Sequence, residues 1–185
     1  MDFEARLAAV PAHATVRGMF FQFLAQGLSP GAAAETKGRR YVAFKNYPVR
    51  EYIGLLASSC AEYAGRIPAA QHVRLLGRQV YPNYAETLTG TAIFAMAGRN
   101  FRRVVELCPA AYRVSMSPCT VEIQSFADGH AVVQLRELWN MPDLHQVGIW
   151  EGAMDVCGAR GEIRVQVHSL CDVDFELNWR EAADG

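Results

Sequence analysis

The stretch "DLHQVGIWEG", Asp143–Gly152, decides how the chain is read. It sets one histidine and one tryptophan in a short helical segment between two strand-rich segments. With its continuation, Val147, Trp150, Met154 and Cys157 recur at three- and four-residue steps, so they form one apolar stripe of a helix. A stripe of this kind packs on a sheet. Asp143 is the expected cap, a carboxylate that accepts a backbone amide at the helix start. Gly158 is the expected stop, because glycine takes the left-handed conformation that closes helices. His145, just behind the cap, is expected in the exposed first turn. A single histidine without a second ligand set argues only weakly for a metal or haem ligand.

The flanking segments read as hairpins. In "CTVEIQSFADGHAVVQLRELW", Cys119–Trp139, two extended runs surround Asp128-Gly129, a turn pair in which glycine accepts the positive backbone angle. In "EIRVQVHSLCDVDFELNW", Glu162–Trp179, Ile163, Val165 and Val167 face one way, and Val173, Phe175, Leu177 and Trp179 do likewise after a turn. That alternation predicts a half-buried antiparallel hairpin. Both hairpins begin with Glu-Ile, at Glu122-Ile123 and Glu162-Ile163, and reach a tryptophan at the same separation. Duplication and chance convergence of strand patterns both account for so short a match, and both give two hairpins joined by the helix.

Upstream, the signals are mainly helical. "TVRGMFFQFLAQGL", Thr15–Leu28, reads as a helix or as a strand at its start, because Phe20, Phe21 and Phe23 do not settle the period. "VREYIGLLASSCAEYAG", Val49–Gly65, places Tyr52, Leu55, Leu56, Cys60 and Tyr63 on one helical face, entered at Tyr47-Pro48 and stopped at Gly65. A following helix starts with Pro68 in its first turn and is expected to break near Pro82, where an amide is missing. "NFRRVVELCPAAYRVSM", Asn100–Met116, gives another, with Asn100 as cap and Val104, Val105 and Cys108 turned inward. Four or five helical segments over residues 1–117 therefore precede a hairpin, helix, hairpin unit over 118–180. At 185 residues with no composition break, one domain covering 1–185 is expected.

Composition narrows the function classes. Apolar residues make up 51% and charged residues 20%, an ordinary globular balance that is too hydrophobic for extended disorder. A formal net charge of -1 supplies no broad cationic field for phosphate backbones or anionic lipid, so neither nucleic acid nor membrane is an expected partner. The first thirty residues lack the ordered regions of a secretory signal, and their apolar run is short and interrupted; a cytoplasmic protein is expected. Five cysteines, at 60, 108, 119, 157 and 171, are odd in number and widely spread, which favours reduced thiols.

No catalytic constellation emerges, and a non-enzymatic protein is expected. There is no nucleophile elbow, P-loop or dinucleotide glycine fingerprint. His13, His72, His130 and His168 form no recognised ligand spacing, so no metal site is predicted. Cys60 and Cys157 lie on apolar helix faces, where a thiol serves as a small hydrophobe. "GRQVYPNYAETLTG", Gly77–Gly90, collects Arg78, Tyr81, Tyr84, Glu86, Thr87 and Thr89. It reads first as a helix break that locks neighbouring helices and second as a cavity wall. "GRNFRR" reads as a solvated helix entrance rather than a phosphate site.

The ordered set "VRGMF", "YPVREYIGLL", "LLGRQVYPNYAETLTGTA", "GIWEGAMDVCGA" and "FELNW" resembles a family of proteins of unknown function restricted largely to myxobacteria, over Val16 to Trp179. Leu76-Gly77-Arg78 followed by Tyr84, Thr87 and Gly90 is its most specific piece. That family has no established catalytic residues to carry over. The element order also resembles haem nitric-oxide-binding domains, four-vinyl-reductase small-molecule-binding domains and vesicle-tethering TRAPP subunits. This implies a ligand between helices and sheet or a protein interface on the outside. The haem-binding group has a proximal histidine and a Tyr-x-Ser-x-Arg signature; "YRVSM" holds Tyr112, Arg113 and Ser115 but ends in Met116.

The expectation is one α+β domain, a helical layer packed on an antiparallel sheet, acting as a ligand-binding sensory or regulatory module. An apolar or aromatic small molecule would occupy a helix-sheet pocket walled by Tyr84, Phe94, Trp150 and Met154, with no cofactor. The alternatives are a protein-interaction adaptor, as a homodimer or with a regulatory partner, and then a haem-based sensor using His145.

Overall fold

In a computed structural model, residues 1–87, 91 and 99–181 are described. They form α1 (Phe3–Ala9), β1 (Thr15–Arg17), α2 (Gly18–Ala25), α3 (Pro30–Glu35), β2 (Asn46–Pro48), α4 (Val49–Glu62), α5 (Ala69–Arg78), α6 (Val80–Ala85), α7 (Phe101–Ser115), β3 (Met116–Ser117), β4 (Thr120–Ala127), β5 (His130–Arg136), α8 (His145–Cys157), β6 (Arg160–Val167) and β7 (Val173–Arg180). The fold class is the mixed helix and antiparallel sheet architecture expected from the sequence.

The C-terminal sheet has the order β4-β5-β7-β6, with every neighbouring pair antiparallel. Alternation explains its two faces. Ala131, Val133 and Leu135 of β5 and Val173, Phe175 and Leu177 of β7 are fully buried. The intervening residues carry charge pairs on the outer face, including Arg136 with Asp174 at 2.7 Å and His168 with Asp174 at 2.9 Å. Asp128-Gly129 makes the tight turn, with Ala127 paired to His130 and Gly129 at φ 70°. Val167 departs from its expected inward face: it is 53% exposed, because it is the last residue of edge strand β6 before the turn. The two Glu-Ile motifs do not share a register, since Glu122 opposes Gln134 whereas Glu162 opposes Asn178. Trp179 lies in β7, while Trp139 lies beyond the end of β5.

The N-terminal apolar segment uses both periods: β1 is its strand and α2 its helix, joined at Gly18. β1 is the centre of a second small antiparallel sheet, β2-β1-β3. The stripe expected on α4 is buried at Tyr52, Leu55, Leu56 and Cys60. Pro68 stands at the cap of α5, just ahead of its expected first-turn position. The break expected near Pro82 falls at Gln79, between α5 and α6. Pro82 has no amide to offer the Arg78 carbonyl four residues back, so one continuous helix cannot form. Asn100 caps α7 as expected, its Oδ1 accepting the Arg103 amide at 3.1 Å, and Val105 and Cys108 are buried. The anion at this helix start is the protein's own Glu181, whose carboxylate accepts the Phe101 and Arg102 amides at 3.3 and 3.0 Å.

Helix α8 differs from its expectation in three respects. Instead of one stripe, nearly its whole circumference is buried: only Glu151, Asp155 and Val156 reach solvent. Asp143 does not cap it. The cap position is Leu144, and the amides of Leu144 and His145 are bonded to the Met141 carbonyl at 3.2 and 2.9 Å. The Asp143 carboxylate instead grips Arg6 of α1 in a two-pronged pair at 3.0 and 2.6 Å. Gly158 does close the helix, at φ 70°. His145 is not exposed; it is 0% accessible. Among the described residues, no helix is long and apolar enough to cross a membrane.

Candidate functional site: the interior around helix α8

Helix α8 is surrounded because each of its faces has a different neighbour. Toward α5 it carries Gly148 and Gly152. A Cβ on Gly148 would collide with the Arg74 carbonyl, one on Gly152 with the Arg78 carbonyl, and one on Gly77 of α5 with the His145 carbonyl. Backbone lies on backbone there, and only glycine permits it. The seam is flanked by two ion pairs one helical turn apart, Arg74 with Glu151 at 2.5–2.9 Å and Arg78 with Asp155 at 2.6–2.9 Å. The conspicuous Arg78 of the polar-aromatic segment thus ties helix to helix.

On other faces the contacts run through side chains. Ile149 joins a small cluster with Phe23 and Val80, against which Tyr81 and Tyr84 pack. Trp150 stands between α7 and the sheet, its ring 6.1 Å from that of Phe101 and 6.3 Å from that of Phe175. Met154, 6% exposed, belongs to the same main core as Trp150. The proposed wall residues are therefore divided: Trp150 and Met154 lie in the main core, and Tyr84 lies beside the smaller cluster with its ring 6.1 Å from Phe23. Phe94 lies outside the described residues. Two surface clefts bounded by described residues, of about 450 and 290 Å³, lie at the Asp128-Gly129 turn and on the outer sheet face.

His145 faces α4, where its Nε2 is 3.0 Å from the Tyr52 hydroxyl and its ring meets the Tyr52 ring edge-on. Burial drives its pKa down from 6.5 to about 3, so the ring is neutral at ordinary pH. Burial likewise raises the Tyr52 hydroxyl. A second buried pair echoes it, His72 Nε2 with Ser59 Oγ at 2.9 Å. The sequence signal for His145 was obscured because first-turn position implies exposure only when the helix start is at the surface.

Sequence reasoning also missed a concentration of polar atoms. Trp139 Nε1, both side-chain polar atoms of Asn140, His145 Nδ1, both of Gln146 and Trp150 Nε1 are buried without a hydrogen-bond partner. Each such atom costs about 1–3 kcal/mol if it stays dry and unpaired. The cysteines show the opposite character. Burial raises the thiols of Cys60 and Cys157 to about 11 and those of Cys108 and Cys119 to about 12, so all four are protonated, poor nucleophiles. Among the described residues no group of three His, Cys, Asp or Glu side chains is placed to hold a metal ion.

Residues 9–180 match the family model for the protein of unknown function DUF2378. The chain belongs to the DUF2378 family. No curated protein matches it by sequence. Solved structures resemble this DUF2378 chain over nearly its whole length. The Fe(II) unliganded H-NOX protein from K. algicida shares 9% identity at a TM-score of 0.67, with 91% of this chain and 99% of that chain covered. The S. oneidensis H-NOX protein in the Fe(II)NO ligation state shares 12% at 0.68, covering 89% and 99%. An oxygen-binding H-NOX domain related to soluble guanylate cyclases, in its oxygen complex, shares 11% at 0.67, covering 89% and 93%. At these identities the likeness establishes the fold alone.

A haem, implied by the resemblance to haem-binding domains, needs an axial side chain with an open lone pair and room for a flat macrocycle. No histidine of this DUF2378 chain fits. His145 spends Nε2 on Tyr52, and its helix lies against α5 backbone to backbone. His72 spends Nε2 on Ser59, and His168 spends its own on Asp174. His130 is on the outer face of the sheet near Glu176, and His13 is exposed.

Proposed function

We propose that the chain is a non-enzymatic sensory or regulatory domain that binds a small molecule in the interior between its helices and the four-stranded sheet, without a histidine-ligated haem. The observation that carries this reading is the whole-length likeness to H-NOX proteins, including forms described as the Fe(II)NO state and an oxygen complex. An aromatic interior at Trp150, Phe101 and Phe175 supports it, since apolar and aromatic linings with few polar groups suit small ligands. Buried, protonated thiols favour binding over thiol chemistry. Trp150 and Met154 are the wall residues best placed in this reading, with Tyr84 on an adjoining face.

Mass spectrometry of the purified chain under gentle and then denaturing conditions tests it. A mass excess that is lost on denaturation supports a bound small molecule. A chain that carries no excess mass and captures no member of a fragment library would sink the proposal.

A second reading, an interaction or dimerisation module, is favoured by the apolar surface around Arg17. The guanidinium of Arg17 donates to the carbonyls of Val114 and Phe44. Both side chains are exposed, at 62% and 72%. Large apolar side chains so exposed, on two segments tied to one arginine, are the kind of surface that partners cover. Light scattering of wild type and Phe44→Ser separates this reading from the first, because only a dimer using this surface would shift to monomer.

A further inference from the structure

Among the described residues, seven of the eight buried side-chain polar atoms without a hydrogen-bond partner belong to residues 139–150. The eighth, Asp174 Oδ1, has Arg136 at 2.7 Å as its ion-pair partner. Gln146 and Asn140 are extreme cases, 0% and 1% exposed with both carboxamide atoms unpaired. Native interiors pair such groups with protein, ordered water or ligand, and a marginally stable domain does not carry seven dry ones in one segment.

Their placement is specific. Gln146 and Trp150 are four residues apart on α8 and share a face. Trp150 meets Phe101 at one end of α7 and Phe175 on β7. Toward the other end of α7, the Tyr112 hydroxyl lies beside the Gln146 carboxamide. Phe101, Val105, Cys108 and Tyr112 recur at helical spacing, so one face of α7 looks across at Gln146 and Trp150. The polar groups named along the seam between α7, α8 and the sheet are all neutral: the Gln146 carboxamide, the Trp150 indole N–H, the Tyr112 hydroxyl and the Cys108 thiol. No Asp, Glu, Lys or Arg is among the buried residues described, so an ionic guest would enter without a counter-charge.

We propose that the α7–α8 seam binds a neutral, flat small molecule with an amide-like donor and acceptor edge, which the Gln146 carboxamide reads while the Trp150 indole donates to a second acceptor. This rests on the proposed small-molecule-binding function and narrows its ligand class. Asn140 and Trp139, in the connector that leads into α8, add further neutral groups at the approach to the same helix.

The test uses four flat probes of similar size: benzamide, benzoate, benzamidine and toluene. Thermal shift and the indole N–H resonances of the full-length chain are followed, the Trp150 signal being assigned by its loss in Trp150→Phe. Benzamide is expected to raise the melting temperature and move the Trp150 resonance, and the other three are not. Gln146→Met, which keeps the volume and removes the carboxamide, is expected to weaken benzamide at least tenfold. Trp150→Phe gives a second, independent variant should Gln146→Met fold poorly, and it too is expected to weaken benzamide.

Equal response to toluene, unchanged in Gln146→Met, overturns the polar class while leaving the interior binding site in place. A response to benzoate or benzamidine as strong as that to benzamide overturns neutrality. If no probe binds and Gln146→Met merely lowers stability, ordered water alone fills the seam and the inference fails. If no probe binds, Gln146→Met raises stability and native mass shows nothing bound, the seam is dry and both the inference and the function it rests on fall.

Discussion

The Tyr52 hydroxyl and the Nε2 of His145 meet at 3.0 Å in the interior, joining α4 to the first turn of α8, and both residues are 0% exposed. Neither has solvent to fall back on. Tyr52→Phe removes one partner and strands the other, so it should destabilise the fold by about 1–3 kcal/mol. Urea denaturation of the single variants and of Tyr52→Phe with His145→Leu checks this. The double variant should lose less than the sum of the two.

The same histidine sets a pH dependence. Its folded pKa, about 3, lies below its ordinary 6.5. Between these values the unfolded chain takes up a proton that the folded chain refuses. The contribution to stability is therefore whole above pH 6.5 and is lost as pH falls toward 3, at up to about 1.4 kcal/mol per pH unit. His72, also lowered by burial, acts in the same direction. Denaturation midpoints from pH 7.5 to 4.5 should fall, and His145→Leu should flatten the slope. An unchanged slope in that variant would place the acid sensitivity elsewhere.

The glycine seam should be intolerant of a single methyl. Gly148→Ala drives a Cβ into the Arg74 carbonyl, and neither helix backbone yields cheaply, so a loss of about 1–3 kcal/mol is expected. By contrast, Gly54→Ala in α4 meets open space and should raise stability by about 0.5–1 kcal/mol through helix propensity. Thermal denaturation of the pair is the comparison, and similar effects of the two changes would contradict the seam.

Arg6 and Asp143 hold α1 against the entrance of α8 with side-chain exposures of only 13% and 22%. A two-pronged, partly buried pair exceeds an ordinary surface bridge, and a double-mutant cycle with Arg6→Gln and Asp143→Asn should report a coupling of about 1 kcal/mol. A coupling near zero would mean that the two carry independent roles.

His145 Nε2 is held by Tyr52 and its helix lies against α5 backbone to backbone, so haem reconstitution should give no Soret band that depends on this histidine. Absorption spectra of wild type and His145→Ala after haemin addition and desalting should coincide. A band present only in the wild type would reverse the assignment of this histidine.

Where period and chemistry were local, the sequence determined the structure. The period-two runs around Asp128-Gly129 and from Ile163 to Trp179 dictated two hairpins, Asn100 and Gly158 marked helix ends, and Pro82 forbade one long helix. These follow from backbone sterics and from which face of an element must leave water. The tertiary structure alone decided how many faces of α8 are covered. Gly77, Gly148 and Gly152 look like scattered glycines until two helices are laid together, and only then do they explain why α8 is surrounded. The same enclosure moved His145 from solvent to Tyr52 and drew Asp143 away from its cap to Arg6. It also left Gln146 and Trp150 facing α7 with polar atoms unpaired. Burial and pairing depend on what arrives from distant parts of the chain, and no local pattern in "DLHQVGIWEG" encodes those arrivals.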